Sequence, residues 1–98
     1  MKIDYELLRL GWDAFSLDFF FELLPEDHGF TDEQVERIWE ASHMSIDDIR
    51  KAAGLTQAAM AKRFDIPKRT IENWCRKVTR PPEYVRFMLL EILGLLDI

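Results

Sequence analysis

The sequence predicts an all-α protein of five or six helices. Three observations carry this expectation. Capping residues recur ahead of apolar runs, as at Thr31, Ser45 and Thr56. Apolar residues within those runs recur every three or four positions. Glycine and proline fall between the runs, at Pro25, Gly29, Gly54, Pro67 and Pro81-Pro82.

Residues 1–24 are crowded with large apolar side chains, from Tyr5, Leu7 and Leu8 through Trp12 and Phe15 to Phe19, Phe20, Phe21 and Leu24. They read as one helix, or as two joined near Gly11, ending before Pro25. A strand is the competing reading, because Phe15, Leu17, Phe19 and Phe21 also fit a period of two. After a loop at Pro25–Gly29, Thr31 caps a helix and Gln34 completes a capping box. That helix carries Val35, Ile38 and Trp39 on one face and Glu33, Glu36, Arg37 and Glu40 on the other. Ser45 opens the next, with Asp47 and Asp48 in its favoured first turn and Ile46 and Ile49 inward. Gly54 stops it.

The stretch Gln57–Arg76, QAAMAKRFDIPKRTIENWCR, is the most informative. Thr56 caps a short helix with Met60 and Phe64 on its inner face. Asp65 ends it, since Asp tolerates the left-handed conformation better than most residues. Pro67 sets the start of a second helix over 68–77, with Ile71 and Trp74 inward. Ala61 is the small side chain that two steeply crossing helices need, and Ile66 plugs the turn. The final segment, opened by Pro82 and running to about Leu96, is apolar nearly all round apart from Arg86 and Glu91. It should therefore be buried nearly all round, and since a chain this short cannot easily surround it alone, either residues 1–24 wrap it or it packs on a second copy.

These residues resemble the Cro/phage-repressor type of helix-turn-helix, the XRE family, over roughly residues 45–80. Gln57 stands at that family's glutamine at the helix start, Ala61 at its small crossing residue and Ile71 at its branched position in the second helix. Asp65 departs from it, where the family usually has glycine. The resemblance implies an all-α domain built on a phage-repressor-like helix-turn-helix, with an acidic aromatic N-terminal extension. It implies that the tip of the second helix enters the DNA major groove. Lys68, Arg69, Thr70 and Asn73 are then candidate base readers. Arg69 suits guanine O6 and N7, and Asn73 suits adenine N6 and N7. Gln57 matches the family's phosphate-contacting position. Lys62, Arg63, Arg76, Lys77 and Arg80 are candidate phosphate contacts.

Charge sharpens this picture. The chain has a net charge of −5, yet residues 1–48 hold 3 basic and 13 acidic residues while residues 49–98 hold 10 and 5. Such asymmetry points to different partners for the two halves. The expected division is a helical region 1–44, acidic and rich in aromatics that either pack on the rest of the chain or bind a partner, and a DNA-binding domain 45–98. The leading expectation is a dimeric, sequence-specific regulator binding double-stranded DNA without a cofactor. Its homodimer would form through the helix at 82–96 or through the N-terminal aromatics. The alternative is an antitoxin or phage-borne inhibitor whose acidic half, residues 1–44, binds a protein partner.

Other signals are sparse. No phosphate-binding glycine loop, HExxH or CxxC occurs, so no enzyme is expected. His28 and His43 show no metal-ligand pattern and read as surface or helix-end residues. The single cysteine, Cys75, allows no internal disulfide; Arg76 and Lys77 beside it favour a lowered pKa, though a passive thiol is the commoner case. No signal peptide and no membrane-length apolar run is visible, so a cytoplasmic protein is expected.

Overall fold

The computed structural model describes residues 2–98, and among them there are seven helices and no strand. The helices are α1 (Tyr5–Asp13), α2 (Leu17–Leu23), α3 (Asp32–Ser42), α4 (Ile46–Ala52), α5 (Gln57–Phe64), α6 (Lys68–Cys75) and α7 (Glu83–Ile92). The all-α expectation holds, with more helices than the five or six expected. The chain forms two compact units. One runs up to His43 and includes Leu96–Ile98; the other is Met44–Leu95.

The first unit is built from α1, α2 and α3, which all pack on one another. Asp4 caps α1 by accepting from Leu7 N–H at 2.9 Å, and Ser16 caps α2 by accepting from Phe19 N–H at 3.1 Å. The break between the two helices is therefore at Ala14–Ser16, not near Gly11. Gly11 lies inside α1 and is buried, because its bare Cα lets α3 approach: a Cβ there would meet Ser42 Oγ at 2.8 Å. The strand reading of 15–21 fails for a related reason. Phe20 and Leu24 go inward at helical spacing, and Phe19 and Leu23 are more exposed. Leu7, Leu8, Phe20, Val35 and Ile38 are at most 1% exposed. Burying each such side chain contributes roughly 1.5–3 kcal/mol.

Local hydrogen bonds fix α3. Thr31 and Gln34 form the reciprocal capping box, with both bonds at 2.9–3.1 Å. Trp39 donates its indole N–H to the Ala14 carbonyl (3.1 Å), and His43 Nε2 donates to the Gly11 carbonyl (2.9 Å). The His43 ring sits against Trp12 and Trp39, with centroids 5.3 and 4.6 Å away. His28 accepts the Phe30 N–H on Nδ1 at 2.9 Å. Both histidines thus hold local structure.

The second unit packs α4 on α6 and α7, and α5 on α6. Ile46, Ile49, Met60, Ile71, Phe87 and Leu90 are at most 2% exposed. Ser45 and Asp48 form a second capping box at the start of α4. All four helices of this unit end in a Schellman turn, with a left-handed residue at Gly54 (φ 70°), Asp65 (54°), Lys77 (62°) and Gly94 (73°). Two of the four carry a side chain where glycine is the favoured residue, and both flank the helices of the central pair.

Four expectations for this unit need correction. The second helix of the pair ends at Cys75 rather than 77, because Lys77 turns left-handed and hands its N–H to the Trp74 carbonyl. The last helix ends at Ile92, short of Leu96, at the Gly94 turn. It is not buried all round: Tyr84 (56%), Met88 (42%) and Ile92 (51%) are exposed. Arg86, expected on a polar face, is instead buried and donates to the Met44 carbonyl at 2.7 Å. Burial lowers its pKa, an effect that Arg80 adds to and Glu83 opposes.

Candidate nucleic-acid interface

The site is built on α5, a three-residue turn and α6. Thr56 starts α5 by accepting from Ala59 N–H at 3.0 Å, which places Gln57 at the first helical position, half-exposed. Ala61 is 8% exposed on α5 and Ile71 is fully buried on α6. The turn between them closes through Asp65 N–H to the Lys62 carbonyl (3.4 Å) and Ile66 N–H to the Ala61 carbonyl (3.0 Å). Asp65 therefore fills the glycine position of the turn with φ 54° and ψ 44°.

Pro67 then leads into α6 with φ −53°, and no side chain caps the helix. The first-turn amides of α6 thus add to the positive end of its dipole. Lys68 and Arg69 project from this same turn and are exposed. Thr70 and Asn73 are half-exposed, while Ile71 faces the core. The geometry concentrates donors and positive charge at one helix tip, held by a buried isoleucine behind it. Lys68 makes one long ion pair, 3.9 Å to Glu72 one turn on. Opening so exposed a pair costs at most about 1 kcal/mol.

The remaining cations surround this pair in sequence. Lys62 and Arg63 form the last turn of α5, Arg76 is the C-cap of α6, Lys77 follows it and Arg80 precedes Pro81. All five are exposed. The Arg63 guanidinium lies 5.5 Å from the centre of the Phe64 ring. None of the ten candidate residues is buried, and all ten belong to the second unit.

Two neighbouring cations are already engaged. Asp47 pairs with Arg50 at 2.8 Å and with Lys51 at 3.0 Å. Arg50 also donates to the Leu55 carbonyl at 2.9 Å, which locks the turn ahead of α5. The hydrogen bonds from Arg50 and then Lys51 pull the Asp47 carboxyl down from 3.8 to about 2. This role of Arg50 went unread in the sequence, although the i, i+3 and i, i+4 spacings from Asp47 signal it. The same cluster decides between the two readings of Cys75 in favour of the passive thiol. Its thiol is half-buried, and burial pushes its pKa up; Asp47 adds to that rise and Arg50 opposes it. Arg76 and Lys77 do not lower it.

Among the described residues no cluster of three metal-ligating side chains forms, and no helix is long and apolar enough to cross a membrane. No curated protein and no solved structure matches the chain significantly. The model of the Helix-turn-helix family matches residues 46–96, just over half of the 98 residues and the whole of the α5–α6 pair. The chain therefore belongs to the Cro/phage-repressor (XRE) type of the helix-turn-helix family, a family of DNA-binding regulators.

Proposed function

We propose that the protein is a cytoplasmic, sequence-specific transcriptional regulator whose residues 45–98 read the major groove through α6. The observation that carries this reading is the exposure of Lys68 and Arg69 at the uncapped tip of α6, directly ahead of the buried Ile71. Arg69 and Asn73 discriminate bases, with Lys68 and Thr70 beside them. Gln57, Lys62, Arg63, Arg76, Lys77 and Arg80 hold phosphates and set the register. The acidic first unit is repelled by the same duplex and stays off it.

The regulator works as a homodimer on two half-sites about one helical turn apart. Tyr84, Met88 and Ile92 support this: they recur every four residues along α7 and leave an apolar face on the DNA-binding unit itself. Selection of bound sequences from random duplex DNA, with the mass of the complex measured in parallel, tests the proposal. It predicts a symmetric selected site and two chains per site, and Met88→Arg giving a folded monomer with weakened binding. Recovery of no preferred sequence contradicts it.

A second reading, an antitoxin or phage-borne inhibitor acting through residues 1–44, is favoured by one specific observation. Phe15, in the acidic unit, is 82% exposed.

A further inference from the structure

Phe15, Phe19 and Leu23 recur every four residues across the start and length of α2. Phe15 is 82% exposed, Leu23 39% and Phe19 is half-exposed. The Phe15 and Phe19 rings meet at 4.8 Å, tilted by 46°. With Ser16 as the N-cap, the staple partner of Phe15 would be Phe20, so its contact with Phe19 is a plain side-chain pair four residues apart. Such a pair does not account for the exposure, because it gains from burial and Phe15 leaves on the order of 200 Å² of surface in water. With Leu23 and the open side of Phe19 the patch reaches about 300 Å², the size at which apolar patches on monomers are often functional.

The surroundings say what fits it. Residues 10–36 carry eight acids and no Lys or Arg. Asp18 and Glu22, on α2 itself, and Asp13, at the end of α1, are exposed. DNA and anionic lipid are repelled by such a rim. A second copy meeting the patch face to face would oppose like charges. What remains is a protein with a complementary rim. We infer that the Phe15–Phe19–Leu23 patch docks a protein surface that presents Lys and Arg around an apolar pocket. Phe15 is the anchor that enters the pocket, and the carboxylates meet the cationic rim. This inference rests on the protein-binding reading of residues 1–44 and is independent of the DNA-reading role of α6.

Titrating the full-length chain, labelled for amide NMR, with two synthetic helical peptides tests it. One alternates Lys with a Leu stripe; the other has the same charge with Ser in place of Leu. The Lys–Leu peptide is expected to shift amides around Phe15, Phe19 and Leu23, and to bind at least about tenfold tighter than the Lys–Ser peptide. Phe15→Ser should weaken it about 30-fold while leaving the melting temperature and DNA affinity unchanged, since the side chain is so exposed. Equal binding of the two peptides overturns the inference, as does indifference to Phe15→Ser. Shifts elsewhere on residues 1–44 overturn the patch but keep the protein-binding reading; shifts nowhere on 1–44 sink both. Self-association of the chain that Phe15→Ser abolishes would also overturn it, by making the occupant a second copy.

Discussion

Replacing Gly11 with alanine sets two physical effects against each other at one position. Gly11 is a buried glycine in the middle of α1. Helix propensity alone favours Gly11→Ala by about 1 kcal/mol. Packing opposes it. The new methyl would stand 2.8 Å from Ser42 Oγ, 3.1 Å from Ser42 Cβ and 3.7 Å from a Phe20 ring carbon. The hydroxyl cannot simply swing aside, because Ser42 is fully buried and donates to the Trp39 carbonyl at 2.6 Å. Overpacking of this kind costs roughly 1–3 kcal/mol, and losing the hydroxyl's bond adds about 1 kcal/mol. The balance is a destabilisation of about 1–3 kcal/mol. For a chain of this size that lowers Tm by roughly 4–8 °C per kcal/mol. Thermal and urea unfolding of the full chain read it directly. Adding Ser42→Ala to Gly11→Ala should recover part of the loss, since it removes the atom at 2.8 Å and leaves the one at 3.1 Å. A Gly11→Ala protein more stable than the parent by about 1 kcal/mol would refute the close approach of α1 and α3.

Other outcomes follow from the second unit. Asp65→Gly, at a left-handed position, should stabilise the protein by about 0.5–1 kcal/mol in urea unfolding; a loss of stability would contradict the turn geometry. Ile71→Ala, at a fully buried position, should cost about 2–5 kcal/mol by the same measurement; a cost under 1 kcal/mol would contradict its place behind the α6 tip. Asp47 has its folded pKa depressed to about 2 from 3.8, so its contribution is present above about pH 4 and is lost as pH falls toward 2. For a solvent-screened pair this contribution is about 1 kcal/mol. Asp47→Asn should abolish that part of the acid-induced loss, and unfolding midpoints that fall identically in both proteins from pH 5 to pH 2 would refute the pairing.

Local signals in the sequence were read well because their physics is local. Thr31, Ser45 and Thr56 each cap a helix by accepting an N–H three residues on, a bond that four consecutive residues determine. Asp65 was legible for the same reason, since it stands between a helical run and a proline. Lys77 was not, because nothing about a lysine after Arg76 announces a left-handed turn. Gly11 was misread as a joint because its role depends on Ser42, thirty-one positions later. Arg86 was misread as polar surface because its partner is a backbone carbonyl at Met44, and carbonyls leave no mark in a sequence. The environment of Cys75 is set by Asp47 and Arg50 across the fold rather than by the cations next to it in the chain. The exposed face of α7 was legible in part: a helix apolar nearly all round asks for more cover than so short a chain supplies, but the pattern does not say that Tyr84, Met88 and Ile92 are the residues left open.

The central claim is that the tip of α6 distinguishes one DNA sequence from another, and Arg69→Ala tests it most directly. Its affinity is to be measured on the sequence selected by the parent protein and on random duplex at the same salt. The account predicts a loss of about 1–3 kcal/mol on the selected site, no more than a few-fold loss on random DNA, and an unchanged melting temperature. Equal losses on the two duplexes would mean that Arg69 supplies only charge, and the reading of α6 as a recognition helix would fall.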